Sequence, residues 1–163
     1  MRRRIIREKV LQALYAHEVS GDPAEHVIEH NVNGLEGNPA EHEFARQLVT
    51  ETITHDAQID KIIKGKVANW DFKRIALLDR IILRMAICEL MYFKDIPPKV
   101  SMNEAIELAK LFSTEKSGQF VNGILDAVLN DMKNAGEIHK SGRGLYTGEA
   151  IPGTGEAQSK KRA

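Results

Sequence analysis

The sequence predicts an all-α protein, a bundle of about seven helices packed around one central apolar helix. Three observations carry this. First, Asp71 to Phe93, wound as a helix, gathers Lys73, Arg80 and Arg84 into one narrow arc and leaves nearly all the remaining circumference apolar. A helix with so wide an apolar arc has to be covered by others on at least two sides, while its spaced charges keep it from spanning a membrane. Second, helix start signals recur along the chain, each followed by apolar residues at helical spacing. Third, the alternation that marks strands appears nowhere.

Residues 2–19 form the first helix, with Ile6, Val10, Ala13, Leu14 and His17 in one stripe that sets the buried face. Arg4, Glu8, Leu11 and Tyr15 lie opposite. Ser20-Gly21 stops this helix, and Asp22-Pro23-Ala24-Glu25 starts a short second one, with Asp22 as N-cap and proline at the first helical position. After a loop from Asn31, Asn38-Pro39-Ala40-Glu41 repeats the signal. The helix that follows turns Phe44, Ala45, Leu48, Val49 and Thr52 inward. Thr54 or Asp56 caps the next, whose inward residues are Ile59, Ile62, Ile63 and Val67. Asn69-Trp70 joins it to the central helix, with room for a separate short turn at 71–74.

Pro97-Pro98 ends the central helix. Ser101-Met102-Asn103-Glu104 reads as a capping box for a helix that buries Ala105, Leu108, Ala109 and Phe112. A polar link at 113–117 leads to the last helix, roughly 117–133, with a stripe of Val121, Ile124, Leu125, Val128 and Met132. From Ala135 periodicity vanishes and glycines recur, so 135–163 reads as a disordered tail.

The length of 163 residues suits one compact domain, or two tightly packed halves, with a tail. Formal net charge is zero, so nucleic-acid binding requires local clustering of cations. The single cysteine, Cys88, falls at an apolar position in the central helix and reads as a buried structural thiol. The absence of a disulfide framework fits a reducing cytoplasm, and the basic start lacks the apolar core of a secretory signal. His26 and His30 stand four apart, the spacing of a two-histidine metal pair, but no third ligand accompanies them. Carboxylates are scattered, no glycine loop follows a strand, and nothing signals catalysis or a cofactor.

The chain begins with a different kind of signal. Arg2, Arg3, Arg4, Arg7 and Lys9 give residues 1–20 five bases against two acids, whereas residues 21–70 hold four bases against nine acids. Cations at a helix start oppose the helix dipole, so such a cluster points to an anionic partner. Tyr15 shares that side of the first helix. On the last helix Phe120 stands beyond the edge of the apolar stripe, near Lys116 and Gly123; an aromatic beside a cation suits stacking of an unpaired base. Gly123 costs helix stability and suggests a close approach to its backbone. Asp79 falls inside the apolar arc of the central helix, where a carboxylate needs a partner.

These residues resemble the NusB family of bacterial transcription antitermination factors. The resemblance rests on the arginines at 2–4 followed by LQALYAHEVS at 11–20, ILRMAICEL at 82–90, KVSMNEAIELAK at 99–110 and FVNGILDAV at 120–128. It implies two small packed sub-bundles, residues 1–69 and 70–134, and an RNA-binding protein rather than an enzyme. The implied RNA is a boxA-type single strand in ribosomal RNA leaders, bound within the transcription elongation complex together with the ribosomal protein NusE. Carried over by position, the RNA surface comprises Arg2, Arg3, Arg4, Arg7, Tyr15, Lys116, Gln119 and Phe120, and Asp79 matches an acidic position at the NusE contact. Lys116 stands where some relatives carry an acid. Two other readings remain open on the residues alone: a helical interaction scaffold without RNA, and a stand-alone relative of the RNA-binding domain of RNA cytosine methyltransferases.

Overall fold

A computed structural model describes residues 2–145, apart from the side chains of Arg2, Asn69, Trp70 and Arg143. Among these residues there are eight α-helices and no strand: α1 (Arg2–Ser20), α2 (Ala24–Asn31), α3 (Pro39–Thr54), α4 (Asp56–Lys64), α5 (Asn69–Arg74), α6 (Leu77–Tyr92), α7 (Pro98–Phe112) and α8 (Glu115–Asn134). The all-α expectation holds, with one helix more than expected. The extra one comes from the stretch 71–93, which is not continuous. Ile75 and Ala76 are extended, Ile75 is buried at the joint, and α6 starts only at Leu77. Lys73 therefore belongs to α5, not to the helix that carries Arg80 and Arg84.

The central position of α6 is as expected. It touches α1, α3 and α4 on one side and α7 and α8 on the other, and every residue from Ile81 to Leu90 is buried. That run includes Arg84 and Glu89, so Arg84, expected on the charged arc, does not face solvent. Arg84 forks onto Asp60 of α4 at 2.7 and 2.8 Å and reaches Glu18 of α1 at 3.3 Å. Glu89 receives Arg7 of α1 at 2.9 and 2.7 Å and the Ser101 hydroxyl of α7 at 3.0 Å. Burial opposes the charge on Arg7, but the hydrogen bonds and charge of Glu89 outweigh it and hold the guanidinium above its ordinary value.

Local signals place most boundaries. Asn38 Oδ1 accepts the Glu41 N–H at 2.9 Å and starts α3, and the five residues expected to face inward there are buried. Gly21, at φ +75°, ends α1 in a conformation that favours glycine. Other signals were misleading. Proline 23, not Asp22, is the N-cap of α2, with its carbonyl accepting the His26 and Val27 amides. His55 precedes α4 without a side-chain cap. The capping box at Ser101 is not used: α7 already begins at Pro98, and Ser101 is buried against Glu89. Thr114 caps α8 through the Ser117 N–H, and the helix begins at Glu115, two residues before the expected start. Leu11, expected on the outer side of α1, is buried because α2, α3 and α6 all cover that helix.

The expectation of a disordered tail fails for residues 135–145; the remainder lies outside the described residues. Gly136, at φ +68°, reverses the chain as the Glu137 amide bonds the Met132 carbonyl, and Ile138 packs on the core. Lys140 then donates to the Glu89 and Phe93 carbonyls at 2.9 and 2.8 Å, capping the C-terminal end of α6. Ser141 N–H bonds the Lys94 carbonyl, and Gly144 rests so close to that carbonyl that no side chain fits. A 3-10 turn, Gly142–Leu145, follows.

Two outcomes follow from these contacts. Arg7→Met leaves Glu89 buried with its charge unmatched and should cost about 3–5 kcal/mol in denaturant unfolding, most of it recovered when Glu89 is replaced by leucine as well. Burial lowers the Lys140 pKa from 10.5 to about 8. Residues 135–145, when undocked, therefore bind more protons between these values, so docking should strengthen from pH 8 towards 10.5 and be weakest below 8. The docked fraction, read from the Ile138 methyl resonance, should rise over that window in the native chain and stay flat in Lys140→Met.

Candidate nucleic-acid interface

The N-terminal turn of α1 presents its arginines to different neighbours. Arg3 is exposed and lies over the Phe44 ring of α3, 4.4 Å from the centroid. Arg4, half exposed, forks onto Glu104 of α7 at 3.0 and 3.1 Å. The side chain of Arg2 lies outside the described residues. Arg7 is corrected: at 3% exposure and fully engaged by Glu89, it has no face for a phosphate. A helix shows only part of its circumference to solvent, and the residue three beyond Arg4 rotates into the core.

Tyr15 is 43% exposed and forms one wall of a groove of about 240 Å³. Leu11 and Gln12 from α1, Leu78 from α6 and Phe112 from α7 complete the lining, which is mostly apolar. Next to Leu78 stands Asp79, in the first turn of α6, where the helix dipole favours a carboxylate. Asp79 is 6% exposed and pairs with no arginine among the described residues. Its Oδ2 accepts the Ser117 hydroxyl at 3.0 Å, and its Oδ1 is buried without a hydrogen-bond partner. Ser117 Oγ also meets Ser113 Oγ at 2.8 Å, so the start of α8 is fixed to the start of α6 by a short hydroxyl network.

That network positions the remaining residues. Lys116 and Gln119 are exposed on the first turns of α8, and Lys116 makes no ion pair among the described residues. Phe120 is partly buried and packs against the core, so it offers an edge rather than an open face. No described residue makes a close approach to Gly123: a Cβ there would meet none of them within 4 Å. The tight spot is Gly118, where a Cβ would lie 3.0 Å from Lys110 Cγ, and this lets α7 and α8 cross closely. The site thus joins α1, α6, α7 and α8 around Tyr15 and Ser117, with Lys116, Gln119 and Phe120 on one flank. Glu104, which holds Arg4, was read from sequence only as part of a capping box; its pairing with Arg4 is non-local.

Cations beside partly exposed aromatics suit phosphate contact with base stacking. Comparison with known proteins gives the same direction. Residues 4–130 match the NusB family. A transcription antitermination protein NusB from Salinibacter ruber is 45% identical over 150 residues, 91% of this chain and 94% of the relative. The structure of T. maritima NusB superposes with a TM-score of 0.72 at 36% identity, covering 79% of this chain and 91% of that one. A structure of the antitermination factors NusB and NusE in complex with double-stranded RNA gives a TM-score of 0.73 at 27% identity, over 80% and 98%.

Asp79→Asn tests how the carboxylate is held. With only the Ser117 hydroxyl to weaken, unfolding free energy should fall by less than about 1.5 kcal/mol, well short of the roughly 3–5 kcal/mol that loss of a buried salt bridge would bring.

Proposed function

The chain belongs to the NusB family, and on that premise we propose that it is an RNA-binding transcription antitermination factor acting with NusE on ribosomal RNA transcripts in the cytoplasm. The observation that carries the reading is the likeness, over 80% of this chain, to a protein solved with NusE and RNA. The interface described above supports it. Arg3, Arg4 and Lys116 supply phosphate contacts, with Arg2 added from sequence. Gln119 supplies a hydrogen bond to a base edge. Tyr15 and the edge of Phe120 stack unpaired bases of a boxA-type strand. Arg7 serves from inside by fixing the rotation of α1. Asp79 Oδ1, buried without a partner, receives a basic group of NusE. Tyr15, which shares the groove with Leu78 beside Asp79, stands where the RNA and protein surfaces meet.

Binding to single-stranded and double-stranded boxA-type RNA, measured against salt with and without NusE, tests this. Replacing Arg3, Arg4 and Lys116 with glutamine should lower the log–log salt slope by roughly 0.7 per lost contact on single strands. Tyr15→Ala should weaken binding by about 1–3 kcal/mol while leaving the melt unchanged. Asp79→Asn should reduce the gain from NusE without altering RNA binding alone. A protein that binds NusE but no RNA at any salt would be an interaction scaffold, and the proposal would fall.

A further inference from the structure

A second cationic surface lies outside this interface. Between residues 61 and 80, Lys61, Lys64, Lys66, Lys73, Arg74 and Arg80 face only two acids, Asp71 and Asp79, a larger excess than the N-terminal cluster carries. Lys66 is taken up by Asp131 of α8. Lys61, Lys64 and Lys73 are exposed, and none pairs with a carboxylate among the described residues. Lys64 Nζ and Arg80 Cζ lie over the same ring, Phe72, 4.7 and 5.4 Å from its centroid. Phe72 itself is buried beneath them.

Helix dipoles explain part of this. Lys61 and Lys64 fall in the last turn of α4, Lys73 and Arg74 in the last turn of α5, where cations are favoured. They do not explain Arg80, which stands near the start of α6, where a cation opposes the dipole. Its Nε is buried and donates to nothing. Two like charges gathered on one ring, one with an idle donor, form an arrangement that an anion would relieve.

We infer that the α4–α5–α6 surface around Lys64, Lys73 and Arg80 is a second phosphate-binding face, holding the backbone of RNA that extends beyond the first interface. This rests on the RNA-binding function proposed above. The start of α6 connects the two surfaces: Leu78 lines the groove with Tyr15, Asp79 meets Ser117, and Arg80, about 200° round the helix from Leu78, meets Phe72. A strand crossing this end of α6 passes from one surface to the other. The chemistry favours nucleic acid over an acidic protein, because lysine is depleted from the cores of protein interfaces while Phe72 is covered by the cations. Phosphate contacts carry no base information, so this face adds affinity and path without sequence preference.

The test compares a short boxA-type RNA with the same RNA lengthened at either end, each bound to the full chain across a salt series. For the wild type, the longer RNA should show the steeper log–log slope. Lys64→Gln with Lys73→Gln should remove roughly 1.4 of that slope, about 0.7 for each phosphate contact, with short-RNA binding and melting temperature unchanged. Both side chains are exposed, so the variant keeps the fold. Equal slopes for the two RNAs in the wild type, or a double variant that keeps the full increment, would overturn the inference while leaving the first interface intact. A polyglutamate peptide that binds here and is not displaced by the long RNA would also overturn it, marking an acidic protein as the partner. Failure of the wild type to bind either RNA would instead remove the functional reading on which this one rests.

Discussion

The fold turns on Glu89. Its carboxylate, 2% exposed, holds Arg7 of α1 and Ser101 of α7, while its main-chain carbonyl accepts from Lys140. Two helices and the segment after α8 therefore meet α6 at a single residue. A buried charge is expensive when unmatched, so the contacts to the carboxylate are obligatory once the helices have packed. The consequence reaches the surface. With Arg7 fixed inward, the preceding turn has one rotation available, which sends Arg4 to Glu104 of α7 and Arg3 over Phe44 of α3. The presentation of the outer arginines is set by the one that is hidden.

The interface gains its stiffness in a similar way. Thr114, Ser113 and Ser117 tie off the start of α8 and deliver a hydroxyl to Asp79, so two helix ends are held in register by short side chains with little freedom to lose. Lys116 and Gln119 project from a rigid base. An RNA bound there does not have to order the platform beneath it, which leaves more of the contact energy for binding.

Much of the fold was legible in sequence because it is local. The inward stripe of α3 and the five-residue stripe of α8 repeat at helical spacing, and Asn38-Pro39 marks a start that the structure uses. The failures share a physical cause. Pattern reading sends charges outward, yet Arg7, Arg84 and Glu89 are buried because each finds a partner far along the chain, 82 residues away for Arg7. The break at Ile75 lies inside an apolar run and leaves no proline or glycine to announce it. Ser101 and Glu104 have the spacing of a cap, but both side chains serve other helices. The candidate site shows the same division: its exposed aromatic and cations were visible, whereas the identity of the one buried arginine was not. The cations around Phe72 were missed because the charge count to residue 70 cut their run in two.

Cys88 has a consequence of its own. Burial pushes the thiol up to about 12, and it is the chain's single cysteine. Almost no thiolate exists at neutral pH, so alkylating reagents and mild oxidants have little to attack while the fold is intact. A cysteine introduced at an exposed position would then be the one reactive thiol in the molecule. The wild-type background already permits site-specific fluorophores or spin labels, and distances between the two cationic faces can be followed without first removing a native sulfur.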